Sequence, residues 1–187
     1  MNNKINWGLC SMYYAIVTET DGVITYGTPA PFPGAVNLVT AAKGDVVEFE
    51  ADNIIYDRSN DNEGYDVTLE TANIPDEFFR DVIGQAEDAN KVLTETISDE
   101  VKRIALLGQF QGDVHNKRFV LYYCQPKRPN MDGQTERKKN PKTRQIQLSA
   151  DPRPDGVVKA STKSDTATAT YSGWFDAVYA RPVAQQP

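Results

Sequence analysis

Any histidine-dependent chemistry in this chain must use one residue, because His115 is its only histidine. It lies in the run GDVHNK at 112–117, close to Asp113 and between two apolar runs. A metal site or an acid–base pair here would need further ligands converging from elsewhere in the fold. We interpret His115 as an exposed residue of a hairpin loop. This solvated setting argues against a Ser–His or Cys–His nucleophile.

Other groups that could do chemistry lack a distinctive spacing. Two of the 26 acidic residues could form a glycosidase pair, but no two stand out by their setting. No glycine-rich turn with the GxxxxGK[ST] spacing joins a strand to a helix, so we predict no phosphate-binding loop. Cys10 and Cys124 lie in apolar runs and are expected to be free, buried thiols in a reducing cytoplasm. We predict no enzymatic activity, no cofactor and no metal site.

Nucleic-acid binding is also disfavoured. The formal net charge is −6, whereas a nucleic-acid-binding protein usually presents a basic face. Tyr13, Tyr14, Tyr122 and Tyr123 could stack on bases, but they lie in apolar runs with only Arg118 beside them. We interpret these tyrosines as core residues.

The clearest signal is a separation of charge along the chain. Residues 45–70 contain nine acidic side chains and one basic side chain, whereas residues 117–144 contain nine basic and two acidic side chains. The acidic set is Asp45, Glu48, Glu50, Asp52, Asp57, Asp61, Glu63, Asp66 and Glu70, and the basic set is Lys117, Arg118, Lys127, Arg128, Arg137, Lys138, Lys139, Lys142 and Arg144.

Three arrangements of these two segments are possible: two solvated faces, mutual neutralisation within one subunit, or contact across a subunit boundary. We favour the last because the loops at 57–64 and 127–143 are poor in apolar residues and gain little from packing on their own core. Two different, complementary patches on one chain make a heterologous contact, which generates rings or open-ended stacks. The predicted interface residues are Asp52, Asp57, Arg58, Asp61 and Glu63 in the acidic segment, and Lys127, Arg128, Arg137, Lys138, Lys139, Lys142 and Arg144 in the basic segment.

Period-two alternation predicts that most of the chain is β-strand. The run at 9–18 is apolar at nearly every position, which indicates a strand buried on both faces. The runs at 46–56 and 65–72 alternate and flank the polar stretch 57–64, so we predict a long hairpin over 46–72 with a charged tip. Residues 22–34 are predicted to be an irregular connection. The other predicted strands are 35–42, 92–97, 101–111, 118–124, 144–150, 157–162 and 167–179.

One short helix is predicted over 75–84. Pro75 suits the first helical position, and Gly84 suits the end. Phe78, Val82 and Ile83 form part of an apolar stripe at helical spacing. A helix this short is not stable alone, so it must pack on the sheet.

These elements predict a single mainly β domain over 1–187, an antiparallel β-sandwich or barrel of about nine strands with one flanking helix. Residues 1–8 are expected to form an N-terminal arm and 180–187 a C-terminal tail. No apolar stretch approaches the length of a transmembrane helix, and the N-terminus lacks the apolar core of a secretory signal.

The order of several runs resembles the major tail proteins, or tail tube proteins, of siphophages and related prophages of Gram-positive bacteria. The resemblance extends nearly end to end, and the order and spacing of the runs carry it rather than any single motif. The runs are GLCSMYYAIVTETDGVITYGTPAPFPGAVNL at 8–38, ADNIIYDRSNDNEGYDVTLETANIPDEFFRDVIG at 51–84, GQFQGDVHNKRFVLYYCQPKRP at 108–129 and LSADPRPDG at 148–156.

The resemblance implies a structural subunit of a long-tailed phage tail tube, with the virion as its location and the host cytoplasm as its place of assembly. Subunits of this family form hexameric rings that stack around a tape-measure protein and later conduct DNA to the host. Tail terminator and distal tail proteins are the further implied partners. By position, 52–65 matches the family's ring-to-ring loop and 1–8 its N-terminal arm. The resemblance implies no immunoglobulin-like decoration domain within this chain.

An acidic lumen would repel DNA and let it slide, and Glu48, Glu50, Asp66 and Glu70 are our candidates for lumen-facing residues. The alternative function is a non-catalytic β-sandwich binding module of the adhesin or carbohydrate-binding type. That function would need a cluster of exposed aromatic side chains around a groove. Only Trp7 and Trp174 are available, and they are far apart in the sequence.

Charge reversal tests the predicted interface. We expect the triple variant Lys138→Glu, Lys139→Glu, Lys142→Glu to remain a folded monomer and to lose polymerisation, because the basic segment would then repel the acidic one. Sedimentation and circular dichroism measure the two effects. Normal polymerisation of the variant would contradict the predicted contact.

Overall fold

The computed structural model describes residues 3–51, 54–131 and 142–181. In them the chain forms thirteen β-strands and two short helices, which confirms the mainly β class. The strands are β1 (Asn6–Thr20), β2 (Val23–Tyr26), β3 (Ala30–Pro31), β4 (Ala35–Lys43), β5 (Val46–Ala51), β6 (Ile54–Asn60), β7 (Gly64–Thr71), β8 (Ala86–Glu87), β9 (Leu93–Thr94), β10 (Ile104–Gly112), β11 (Lys117–Pro126), β12 (Arg144–Ala150) and β13 (Lys159–Ser161). The helices are α1 (Asp76–Phe78), continued by a π-helical turn (Phe79–Ile83), and α2 (Thr168–Ser172), continued by a 3₁₀ turn (Gly173–Phe175).

Nine strands form one antiparallel sheet. Its order is β2-β1-β10-β11-β12-β7-β4, with β3 paired to β1 and β13 paired to β11. The remaining strands form two small antiparallel sheets, β5 with β6 and β8 with β9. The predicted strands at 35–42, 101–111, 118–124 and 144–150 correspond to β4, β10, β11 and β12.

The centre of the sheet is buried on both faces. Along β10, Ile104 and Leu106 belong to one apolar cluster and Ala105 and Leu107 to another, on the opposite face. β1 has the same property, which confirms the prediction for 9–18. Side chains alternate between the faces of a strand, so a continuous apolar run requires a cover on each side.

The helix predicted at 75–84 covers the first face. Pro75 precedes α1, and Gly84 ends the π-helical turn with a left-handed φ of 90°. Phe78 packs edge-on against Tyr14 and Phe32, with ring centroids 5.3 and 5.4 Å away. The position of the helix is therefore confirmed, whereas its second half is π-helical.

The prediction of a strand over 167–179 was wrong. This segment forms α2 and the 3₁₀ turn, and it covers the second face of the sheet. Trp174 is 3% exposed in the second cluster, and Phe175 stacks on Tyr13 at 4.8 Å. The alternation of Thr and Ala at 166–170 resembles a strand, but the chain here packs against a sheet already paired through β10, β11 and β13.

The predicted 46–72 hairpin was also wrong in its pairing. β5 pairs with β6, while β7 pairs with β4 on one side and β12 on the other. Backbone hydrogen bonds from Glu63 to Lys43 and from Asp61 to Asp45, each 3.2 Å, join the two pairs. One hairpin therefore runs over 35–71. Its first arm is β4 followed by β5, and its second arm is β6 followed by β7, so the chain reverses between β5 and β6 rather than at the polar stretch 57–64. Polarity marks contact with solvent, but it does not exclude an extended backbone.

Two shorter predictions need correction. Residues 92–97 contain only the two-residue strand β9, because Asp99 holds the following residues in a turn. The connection at 22–34 contains β2 and β3, which pair with β1.

Two glycines allow the long hairpin to leave the main sheet. Gly44 and Gly64 have φ values of 126° and 97°, which side chains rarely adopt. A Cβ atom at Gly44 would lie 2.0 Å from the carbonyl oxygen of Asp61, and one at Gly64 would lie 2.0 Å from that of Ala150. No side chain fits at either position without a backbone shift.

Substitution at Gly64 tests this junction. We expect Gly64→Ala to lower the free energy of unfolding by about 3 kcal/mol, because backbone strain and a backbone clash act together. Gly22→Ala is the matched control: its φ is 75° but no atom lies within 4 Å of the added Cβ. It should cost only about 1 kcal/mol. If urea denaturation gave equal losses of unfolding free energy for the two variants, the close approach of Gly64 to Ala150 would be unimportant.

Candidate assembly surfaces

The strand β4 ends the main sheet. In the described part of the chain it pairs with β7 alone, so the backbone groups along its other side have no strand partner there. Its sequence AVNLVTAAK has no proline and no charge before Lys43. Val36 and Val39 are 52% and 53% exposed. A bulge between Ala35 and Asn37 interrupts only the start of the strand.

Such an edge is unusual for a protein that remains monomeric. Edge strands are normally short, charged, bulged or covered, because an open row of N–H and C=O groups invites another strand to pair. β4 has nine residues, with a bulge at its start and the charged Lys43 at its end, and neither feature occurs between them. Its outer side is therefore open to strand addition in the described structure.

A polar half-face lies beside this edge. On β7, Val67 and Leu69 point into the core, and Asp66, Thr68 and Glu70 point outward, as the alternation predicted. Gln145, Gln147 and Ser149 of β12 lie opposite Glu70, Thr68 and Asp66. The C-terminal segment covers the same face over β1, β10 and β11 but not here. We define the polar half-face as the outward side chains of β12, β7 and β4.

Two of the four candidate lumen residues, Asp66 and Glu70, lie on this polar half-face. Asp66 is exposed and Glu70 is half-buried. Glu48 and Glu50 lie in β5, and their side chains are outside the described structure. The assignment of any of the four to a lumen remains a prediction.

A charged cluster anchors the end of β4. The Lys43 ammonium lies 2.9 Å from Asp151 Oδ1, and Arg103 lies 3.1 Å from Asp151 Oδ2. Partial burial alone would raise the pKa of Asp151, but hydrogen bonds from Lys43, Ser149 and Arg103 outweigh it and hold that pKa below its ordinary value. The cluster ties the edge strand to the turn that follows β12.

β5 and β6 form a two-stranded ribbon beyond the main sheet. Six residues of extended chain give β5 a length of about 20 Å. The predicted interface residues Asp57 and Arg58 lie in β6, opposite Phe49 and Glu48 in the backbone register. Asp61 and Glu63 are exposed where β6 joins β7, and Asp52 lies outside the described residues.

The basic segment is only partly described. Arg137, Lys138 and Lys139 lie outside the described residues, whereas Lys127, Arg128 and Lys142 are exposed. Arg128 pairs with Glu95 at 3.3 Å and donates to the Asp99 carbonyl oxygen at 3.1 Å.

The ends of the two charged segments come together within one subunit where β7 pairs with β12. Arg144 opens β12 opposite Thr71, and the Thr143 hydroxyl donates a hydrogen bond to Glu70. Thr143 is uncharged, so this hydrogen bond does not decide between the alternatives left open by the charge pattern. For the ribbon and for residues 127–142, contact across a subunit boundary remains a prediction.

The N-terminal arm folds back onto the β10–β11 turn. The Asn3 amide donates to the His115 carbonyl oxygen at 2.7 Å and accepts from the His115 N–H at 2.9 Å. The Lys4 N–H donates to Asp113 at 2.9 Å. Residues 6–8 belong to β1, so the predicted arm at 1–8 is shorter than expected.

The candidate chemical groups do not converge. His115 lies in the predicted turn but is half-buried rather than exposed. Cys10 and Cys124 are free thiols; Cys10 is half-buried, while burial raises the pKa of Cys124 to about 12. In the described ranges, no three His, Cys, Asp or Glu residues form a possible metal site. No helix there is long and apolar enough to cross a membrane.

The two tryptophans lie in different environments. Trp7 is 58% exposed, and it is the one mostly exposed aromatic side chain among those described, whereas Trp174 is 3% exposed in the core. A carbohydrate-binding groove lined by both is therefore excluded. Tyr14 and Tyr122 are core residues as predicted, but Tyr123 lies near the surface under Arg103.

Sequence reasoning missed β4 as the exposed edge. The available signal was the contrast between its uncharged, β-branched sequence and the charged runs around it. It also missed the packing of the C-terminal segment, for which the available signal was the concentration of large apolar residues at Trp174, Phe175, Val178 and Tyr179.

Acid titration tests the Asp151 cluster. Because the pKa of Asp151 is lower in the folded protein than in the unfolded chain, its ionised carboxylate stabilises the fold at pH values above the unfolded pKa of about 3.9. This stabilisation is lost as the pH falls through the pKa of the folded protein. We expect Asp151→Asn to cost about 1 kcal/mol at pH 7 and progressively less below about pH 4. Asp165→Asn, in an exposed turn, is the control for a general charge effect. If the wild type still had a higher free energy of unfolding than Asp151→Asn at pH 2, the proposed role of the carboxylate would be contradicted.

The sequence matches no family model and no curated protein. Solved structures similar in fold to this chain include chains of two anti-feeding prophage assemblies. One is the tube terminating cap of the anti-feeding prophage, with 13% identity and a TM-score of 0.45 over 88% of this chain and 97% of that chain. The other is the baseplate of the anti-feeding prophage in a 6-fold symmetrised reconstruction, with 7% identity and a TM-score of 0.44 over 84% of this chain and 97% of that chain. At these values the likeness carries no argument about function.

Proposed function

We propose that this chain is the structural subunit of a long-tailed bacteriophage tail tube. It assembles into stacked hexameric rings whose lumen holds a tape-measure protein and conducts DNA to the host. The sequence resemblance suggests this function, and the observation that carries it is the open edge strand β4, which has no charge before Lys43. The proposed function involves no catalysis.

Strand addition at β4 is the ring contact in this proposal. A second copy that pairs along β4 satisfies its outward backbone groups, each hydrogen bond contributing about 0.5–1.5 kcal/mol. The other end of the sheet is β2, a different strand with a different sequence. Contact between unlike edges is heterologous and closes into a ring when the rotation permits. Closure of the joined sheets into a barrel removes every edge.

The polar half-face supplies the proposed lumen wall. It presents Asp66 and Glu70 among neutral Thr, Gln, Ser and Asn side chains and the apolar Val39 and Ala41 of β4, and Lys43 at its end is paired with Asp151. A negatively charged wall repels the DNA backbone, so DNA passes without being held. Glu48 and Glu50 on the ribbon would extend this wall.

The ribbon and the N-terminal arm supply the proposed contacts between rings. The ribbon extends beyond the main sheet, and its acidic residues can meet the basic segment of a subunit in a neighbouring ring. Tail terminator and distal tail proteins would occupy the ends of the tube. The proposed location is the virion, after assembly in the bacterial host cytoplasm.

Electron microscopy of the purified protein gives the direct test. We expect rings or tubes in negative stain at high protein concentration. A protein that remains strictly monomeric at all concentrations would contradict the proposed function.

Placing charged residues on β4 tests whether this edge strand forms the ring contact. We expect the double variant Val36→Lys, Val39→Lys to keep its circular dichroism spectrum and to lose ring formation, because lysines on an edge strand block strand addition. Val114→Lys is the matched control, since Val114 is 50% exposed but lies in the β10–β11 turn. Rings from the double variant at the wild-type concentration would show that β4 is not the contact.

A further inference from the structure

Ile97 is the most exposed large apolar side chain in the described structure, at 98%. A single exposed apolar residue needs no explanation by itself. Ile97, however, lies in a turn that is held from both ends. The Thr96 N–H donates to Asp99 Oδ2 at 2.9 Å, the Thr96 hydroxyl donates to Asp99 Oδ1, and the Asp99 N–H donates to the Thr96 carbonyl oxygen at 3.3 Å.

Arg128 holds this turn against the body of the domain. Its guanidinium donates to the Asp99 carbonyl oxygen at 3.1 Å and pairs with Glu95 at 3.3 Å. A turn held in this way loses little backbone conformational entropy when it binds. We call residues 95–100 the Ile97 turn; it contains Glu95, Asp99 and Glu100 and no basic residue.

A groove of matching chemistry lies at the opposite end of the central strands. It has a volume of about 210 Å³, and Leu38, Phe110, Phe119 and Ala160 form its apolar part. Phe110 and Phe119 stack at 5.0 Å. Two lysines, Lys117 and Lys159, lie at the same groove. The groove is therefore apolar with positive charge, whereas the Ile97 turn is apolar and carries three carboxylates, of which Glu95 is paired with Arg128.

The two features cannot meet within one subunit. The Ile97 turn lies near the start of β10 and the end of β11, where Arg128 follows Pro126. The groove lies near the end of β10 and the start of β11. Six residue steps from Ile104 to Phe110 separate these ends by about 20 Å.

We propose that the Ile97 turn of one subunit docks into this groove of a second copy of the same chain. The contact joins opposite ends of two subunits, so it is heterologous and repeats in one direction as an open-ended stack. Apolar burial of Ile97 supplies the affinity, and the carboxylates facing Lys117 and Lys159 set the register. Strand addition at β4 uses backbone groups in the plane of the sheet, whereas Leu38 projects out of that plane, so both contacts can form together.

This inference rests on the proposed function and assigns a contact between rings. We expect Ile97→Ser to raise the protein concentration needed for tubes roughly 10-fold or more, while single rings still form. Val92→Ser is the matched control, because Val92 is 55% exposed outside the turn. Light scattering against concentration measures tube formation, and negative stain separates rings from tubes.

Disulfide trapping identifies the partner surface. Under mild oxidation, a mixture of the single variants Ile97→Cys and Ser161→Cys should give covalent dimers, since Ser161 lines the groove. Each variant alone and the wild-type protein control for the native Cys10 and Cys124. The inference is overturned, and the proposed function stands, if Ile97→Ser forms tubes like wild type or if the mixture gives no dimer. Wild-type protein that forms neither rings nor tubes overturns both.

Discussion

Burial of the central strands on both faces is the constraint from which the rest of the architecture follows. β1, β10 and β11 alternate apolar side chains between two clusters, so each face needs its own cover. Helix α1 with Phe32 covers one face, and the C-terminal segment with Trp174 covers the other. The second cover ends at β11, which leaves the outward side chains of β12 and β7 exposed or half-buried. The polar half-face exists because the cover stops there.

The hairpin over 35–71 combines two roles in one segment. Its inner halves, β4 and β7, end the main sheet, and its outer halves, β5 and β6, form the ribbon. Gly44 and Gly64 lie where the two halves join, and neither can accept a side chain without a backbone shift. A partner that pairs along β4 and a partner that contacts the ribbon therefore both bind the same hairpin.

Several elements could be predicted because local physics determines them. The strands β4, β10, β11 and β12 show period-two or continuous apolar patterns, and Pro75 and Gly84 bound the helix between them. The errors occurred where local and tertiary signals disagree. Thr–Ala alternation in the C-terminal segment favours a strand, but the chain forms a short helix there, and the apolar side chains that follow it pack on the sheet. The polar stretch 57–64 suggested a tip, although it includes half of β6 and the junction to β7.

By itself, the sequence determined the mainly β class, the doubly buried centre, the short helix and the separation of acidic and basic segments. Each depends on composition or on spacing between neighbours along the chain. Only the tertiary structure decided which strand is the open edge, which carboxylates share the polar half-face, and that Glu70 meets the start of β12. These features depend on pairing between distant segments. The periodicity of a strand indicates which of its side chains share a face, but it does not indicate which strand pairs with it.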